Sequence, residues 1–148
     1  MDMSYQEKSI LGSLLALVVV YGYYFAATLR NIGREDLVGS LGRLVFAIVA
    51  TIVIQVVYQI ALAIEGTVER KDERDIFIEC KAYRNAYAML ATGVCMVSCY
   101  FFVASWAHST STHFPLTAYL AVNLMLLVWV IAELTKCLTQ LFYYRRGL

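Results

Sequence analysis

The chain has no surplus of charge of either sign: 12 Lys and Arg stand against 11 Asp and Glu, a formal net charge of +1. That balance argues against nucleic acid as a partner, because holding phosphates requires a basic surplus. Strand-like alternation is also missing, since LLALVVVYGYYFAA and LVFAIVATIVI run apolar on every face. A spanning β-barrel, built from segments of about ten alternating residues, is thereby excluded. No Cys-x-x-Cys pair occurs, and no cysteine falls on the outer side to join an electron relay, so thiol redox chemistry has no motif to rest on. The first apolar run is longer than a typical signal core, follows an acidic-leaning MDMSYQEKS start and has no small-x-small cleavage site in a relaxed context, so it reads as a permanent span and not as a secretory signal.

What the chain does have is hydrocarbon. Hydrophobic residues make up 61%, against about 45 to 50% in an average soluble protein. They are concentrated in four blocks, about 10–29, 44–64, 86–107 and 116–135. A helix needs about 20 residues to cross about 30 Å of hydrocarbon, and each block is close to that length. The expected fold class is therefore all-α, an integral membrane antiparallel four-helix bundle with a cytoplasmic extension of the third helix. The four spans use more than half of the 148 residues and leave little for a soluble domain.

Orientation follows from the basic residues. Lys8, Arg70, Lys71, Arg74, Lys81, Arg84, Lys136, Arg145 and Arg146 share one side, and only Arg30, Arg34 and Arg43 lie on the other. Nine against three predicts cytoplasmic termini, because positive residues beside a span resist translocation. Tyr21, Tyr23, Tyr24 and Phe25 at one end of the spans, and Phe142, Tyr143 and Tyr144 at the other, are expected to form interfacial aromatic belts. The first hairpin is expected to turn through RNIGREDLVGSLGR, broken by Gly33, Gly39 and Gly42, and the second through HSTSTHFP, with Pro115 opening the fourth helix.

The 65–85 segment holds eleven charged residues in 21 positions, six acidic and five basic, which disfavours a polybasic lipid-binding tract. Asp72 is placed to cap a helix, with Glu73 and Asp75 in its first turn. Ile76, Cys80, Tyr83 and Tyr87 recur at spacings of four, three and four, an apolar stripe leading into the third span. Arg70, Arg74, Lys81 and Arg84 form a basic stripe, and Asp72, Asp75 and Glu79 an acidic one. The segment reads either as a solvated helix packed on its neighbours or as an interaction surface made of Asp72, Glu73, Arg74, Asp75, Glu79, Lys81 and Arg84. The string DERDIFIECKAYR, or DERDxxIxxKxxR from Asp72 to Arg84, resembles the motif of small bacterial four-helix membrane proteins without an assigned function. That resemblance implies a fold and a bacterial inner-membrane setting, with no reaction attached.

Polar residues inside the spans form the second candidate site. Depth counted at about 1.5 Å per residue sets Gln55 level with Cys95, Gln59 with Thr92, and Asn123 with Cys99. Two polar stripes are thus expected to face each other, fastening helices 2, 3 and 4 together or lining a passage. No Asp, Glu, Lys, Arg or His falls near the midplane, and the first span carries no embedded glutamate of the kind small four-helix exporters use. The cysteines read as buried packing thiols. Glu133 and Lys136 read as an interfacial pair. His108 and His113 share a loop without a third ligand, so neither a metal nor another cofactor is expected.

The function expected from these features is that of a non-enzymatic membrane protein, embedded in the lipid bilayer and assembling with itself or a membrane partner. Gly12 with Ala16, and Gly22 with Ala26, offer small-residue faces for that contact. The alternative is a small transporter or channel subunit with its pathway along Gln55, Gln59, Thr92, Cys95, Cys99 and Asn123.

Overall fold

The computed structural model describes residues 5–30, 37–64, 72–108 and 118–146. Four helices account for nearly all of them: α1 (Tyr5–Arg30), α2 (Leu37–Ile64), α3 (Glu73–His108) and α4 (Ala118–Arg146). All four are long and apolar enough to cross a membrane. Their outward surfaces support that environment, since Val19, Phe46, Tyr87, Phe102 and Trp106 are each at least two-thirds exposed. Water would not tolerate apolar patches that continuous, whereas lipid chains cover them without loss.

The helices pack in the order α2, α1, α4, α3. Neighbours run antiparallel. Tyr58 near the end of α2 donates to the Lys8 carbonyl near the start of α1 at 2.8 Å. Tyr24 of α1 meets Asn123 early in α4, and Tyr144 late in α4 meets Asp75 at the start of α3. Below, the end where α1 begins and α4 finishes is the near end, and the opposite one the far end.

Close approach depends on small residues at two places. A Cβ on Gly93 would stand 2.5 Å from Cγ1 of Val128, so the α3–α4 seam closes only because position 93 has no side chain. A Cβ on Gly12 would overlap the Tyr58 ring, which packs against α1 there. Gly12 and Ala16 therefore serve packing within the chain and are not a free self-association face. Gly22 has open space around it.

Several local expectations are corrected. Gly39 and Gly42 do not break the chain but lie in the first turns of α2, a tolerance that glycine enjoys in membrane helices. Gly33, Pro115 and His113, together with the side chain of His108, lie outside the described residues. Tyr21 and Tyr24 are not an interfacial belt: they are 2% and 4% exposed and form the core with Leu17, Ala47, Val130 and Cys137. Tyr23 alone of those three is strongly exposed.

Helix α3 begins where the sequence predicts. Asp72 is its N-cap: its side chain accepts from the Glu73 amide at 2.7 Å and its carbonyl from the Ile76 amide at 3.2 Å. The Asp75 carboxylate accepts from the Asp72 amide at 3.2 Å, the backward half of a capping box. The expected stripe of Ile76, Cys80, Tyr83 and Tyr87 is exposed. The buried face lies elsewhere on the helix and consists of Ile78, Ala82, Val97 and Ala104. Small residues there let α4 come close, and the larger aromatics turn outward.

Candidate functional site

A polar cavity of about 460 Å³ opens at the near end, and all four helices line it. Helix α1 contributes Gln6, Ser9 and Ser13, three or four residues apart and so on one face. Helix α2 adds Gln55 and Gln59, again one turn apart. Helix α3 supplies Asp75, Glu79 and Tyr83, and α4 supplies Glu133, Lys136, Gln140 and Tyr144. Leu17 and Cys137 line the cavity and also belong to the buried core, so the cavity ends where the core begins.

Two bonded units organise its charge. Lys136 forms an ion pair with Glu133 one turn away, as the sequence expects. Its ammonium also lies 5.4 Å from the Tyr83 ring centroid, near enough for attraction to the ring face. Nearer the ends of the same two helices, the Tyr144 hydroxyl donates to Asp75 Oδ1 at 2.8 Å, tying the first turn of α3 to the last turns of α4. Lys81 does not enter the cavity. Its Nζ lies over the Phe77 and Tyr143 rings, 4.4 and 4.9 Å from their centroids.

The motif from Asp72 to Arg84 thereby acquires a local explanation. Asp72 and Asp75 close the helix start, Ile78 is 1% exposed, and Lys81 reaches a ring of α4. Asp75, Ile78 and Lys81 are three apart, and each engages the chain itself. Glu73, Arg74 and Arg84 lie on the exposed surface of the helix.

The expected intramembrane cluster is not assembled. Gln55, half-buried, and Gln59 line the cavity, and the α3 residues that share it with them are Asp75, Glu79 and Tyr83. Thr92, Cys95 and Cys99 are exposed on α3 away from that cavity. Thr92 donates to the Ala88 carbonyl of its own helix at 2.8 Å. Asn123 turns to α1, where its Oδ1 accepts from the Tyr24 hydroxyl at 2.9 Å and its amide donates to the Tyr119 carbonyl at 2.8 Å. The physical reason is neighbourhood: α2 and α3 are not among the helix pairs that pack substantially. Equal depth does not make two residues neighbours when α1 and α4 stand between their helices.

The thiols are corrected in the same way. Cys80, Cys95 and Cys99 are exposed, and Cys137 is the buried one. Among the described residues no group of three His, Cys, Asp or Glu side chains is placed to hold a metal ion. At the far end a second hollow, about 640 Å³, runs between α1 and α2 and is mostly apolar, lined by Val19, Val20, Phe46, Ala50 and Ile54 with Arg43 at its edge.

Residues that sequence reasoning missed are Gln6, Ser9 and Ser13 of α1 and Gln140 of α4. The signal was present: a polar residue every three or four positions marks one face of an otherwise apolar helix. The chain matches no protein-family model, no curated protein and no solved structure.

Proposed function

We propose that the chain is a non-enzymatic integral membrane protein, a four-helix bundle of the bacterial inner membrane with both termini in the cytoplasm, and that its working part is the near-end cavity. In this reading the cavity is a water-filled vestibule that admits a small polar solute from the cytoplasm, which places the chain in the class of small transporter or channel subunits. One observation carries the reading: each of the four apolar helices contributes polar side chains to a common space of about 460 Å³. Volumes of about 300 to 1,000 Å³ suit small-molecule sites. Helix glue alone is satisfied by pairwise bonds and leaves no hollow.

Assembly with a second copy or a membrane partner belongs to the same proposal. What favours it is the weak packing of α2 on α3, which leaves one side of the cavity wall without a helix seam for another subunit to close. The exposed charges Glu73, Arg74 and Arg84 provide a cytoplasmic surface for that contact.

The test is water access. In a cysteine-free background, a cysteine replacing Ser13 or Gln55 is expected to react with a membrane-impermeant thiol reagent from the side of the termini, and a cysteine replacing Val56 is not. Failure of both cavity positions to react from either side would remove the vestibule.

A further inference from the structure

The lining of the cavity names its solute. It carries three carboxylates, Asp75, Glu79 and Glu133, and one ammonium, Lys136. With all four ionised the balance is −2, at a place walled by low-dielectric hydrocarbon where the field of each charge reaches farther than in water. We propose that the cavity binds a small organic cation, an amine with one or two ammonium groups. This rests on the vestibule reading and adds the chemical class of what enters.

Lys136 shows how an ammonium is held here. It sits between the Glu133 carboxylate and the face of the Tyr83 ring, a carboxylate and an aromatic surface together. Two turns nearer the ends of the same two helices lies a second acidic group, Asp75 and Glu79 one turn apart on α3, with the Tyr144 hydroxyl of α4 donating to Asp75. Side chains that can accept from further N–H groups come from α1 and α2, namely Ser9, Ser13, Gln55 and Gln59.

The competing ligand classes fit less well. An anion would enter against the balance of charge, with Lys136 already occupied by Glu133. A neutral polyol would leave the negative balance of a half-buried lining uncompensated, where charge loses hydration. A bare divalent metal requires converging ligands, and among the described residues no three acidic, thiol or imidazole groups converge.

The experiment uses the full chain purified into neutral-lipid nanodiscs, with four probes: putrescine, butanediol and succinate, which share a four-carbon skeleton, and magnesium chloride at matched ionic strength. Putrescine is expected to bind saturably by calorimetry and to raise the thermal unfolding midpoint, and the other three are not. Glu79→Gln, and separately Glu133→Gln, are expected to weaken putrescine binding by about tenfold or more, as loss of a partner to a partly desolvated charge does. Ser13→Leu fills the cavity without changing its charge and is expected to abolish binding. Circular dichroism and gel filtration of each variant separate loss of binding from loss of fold, and the three variants are independent, so one that fails to fold leaves two that decide.

If butanediol or succinate binds in preference to putrescine, and Ser13→Leu removes that binding, the cation proposal is overturned and the vestibule reading stands. If no probe binds the unaltered chain, the cation proposal is overturned outright, and the thiol labelling above judges the vestibule separately. Putrescine binding that all three variants leave unchanged is binding at the surface and also overturns the proposal.

Discussion

Helix α1 has a wet half and a dry half along a single face. From Gln6 through Ser9 to Ser13 that face lines the cavity, and from Leu17 through Tyr21 to Tyr24 it lies in the core. The spacing is the same, three or four residues, but the chemistry changes within one turn. In the dry half, the Tyr24 hydroxyl is paired with Asn123. Tyr21 packs edge-on against Trp129, with ring centroids 5.7 Å apart. In the wet half, amides and hydroxyls face a shared hollow. On this face of α1, packing belongs to the stretch from Leu17 to Tyr24 and accessibility to the stretch from Gln6 to Ser13, and substitutions should separate the two.

The largest effect is expected from Tyr21→Ala. Removing a 2% exposed ring from the core should cost about 3 to 5 kcal/mol, as large aromatic truncations do. Chemical unfolding in micelles measures it, and a midpoint equal to that of the unaltered chain would refute the division. Gly93→Val should cost about 1 to 3 kcal/mol by forcing α3 away from Val128, without touching the cavity. Gel filtration after a heating series is the check, and the shift should exceed that of Gly22→Val, where the space is open.

Those two expectations bear on what the sequence could disclose. The existence of four helices, the start of α3 at its capping aspartate and the Glu133–Lys136 pair were all legible, because each depends on neighbours within four residues along the chain. Which helix lies beside which was not. Counting from Ala86 set Cys95 opposite Gln55, but Tyr83 shares the cavity with Gln55, twelve residues earlier and about 18 Å lower along α3. Hydropathy blurred the bilayer edge because α3 and α4 both continue as helix far past their apolar runs, to Glu73 and Arg146. The tyrosines misled for a related reason: a phenol suits an interface, but Tyr24 is buried once Asn123 accepts its proton.

A smaller effect should come from that bond. Tyr24→Phe and Asn123→Leu, with their double mutant, form a cycle whose coupling energy is expected at about 0.6 to 1.7 kcal/mol, the range of side-chain bonds between membrane helices. A coupling near zero would mean that the dry half is held by packing alone. The smallest effect on stability belongs to Gln59→Ala in the wet half, expected within about 0.5 kcal/mol of the unaltered chain, since the side chain is largely exposed to the hollow. If that substitution unfolded the protein as Tyr21→Ala does, the two halves would not differ in kind.

The hydroxyls that bend back on their own helices also bear on how such a chain is made. Thr51, Thr92 and Thr135 each donate at 2.8 Å to the carbonyl four residues earlier, and the Asn123 amide does likewise. Each of these groups carries its hydrogen-bond partner within its own segment. A newly synthesised span can therefore leave the insertion machinery for lipid before its neighbours exist, without stranding those polar groups in hydrocarbon. Gln55 and Gln59 instead face the cavity, part of whose lining comes from α3 and α4, both made after α2. In the membrane reading proposed above, the order of synthesis leaves those two amides to wait for the last helix, and the space in front of them is enclosed only when α4 arrives.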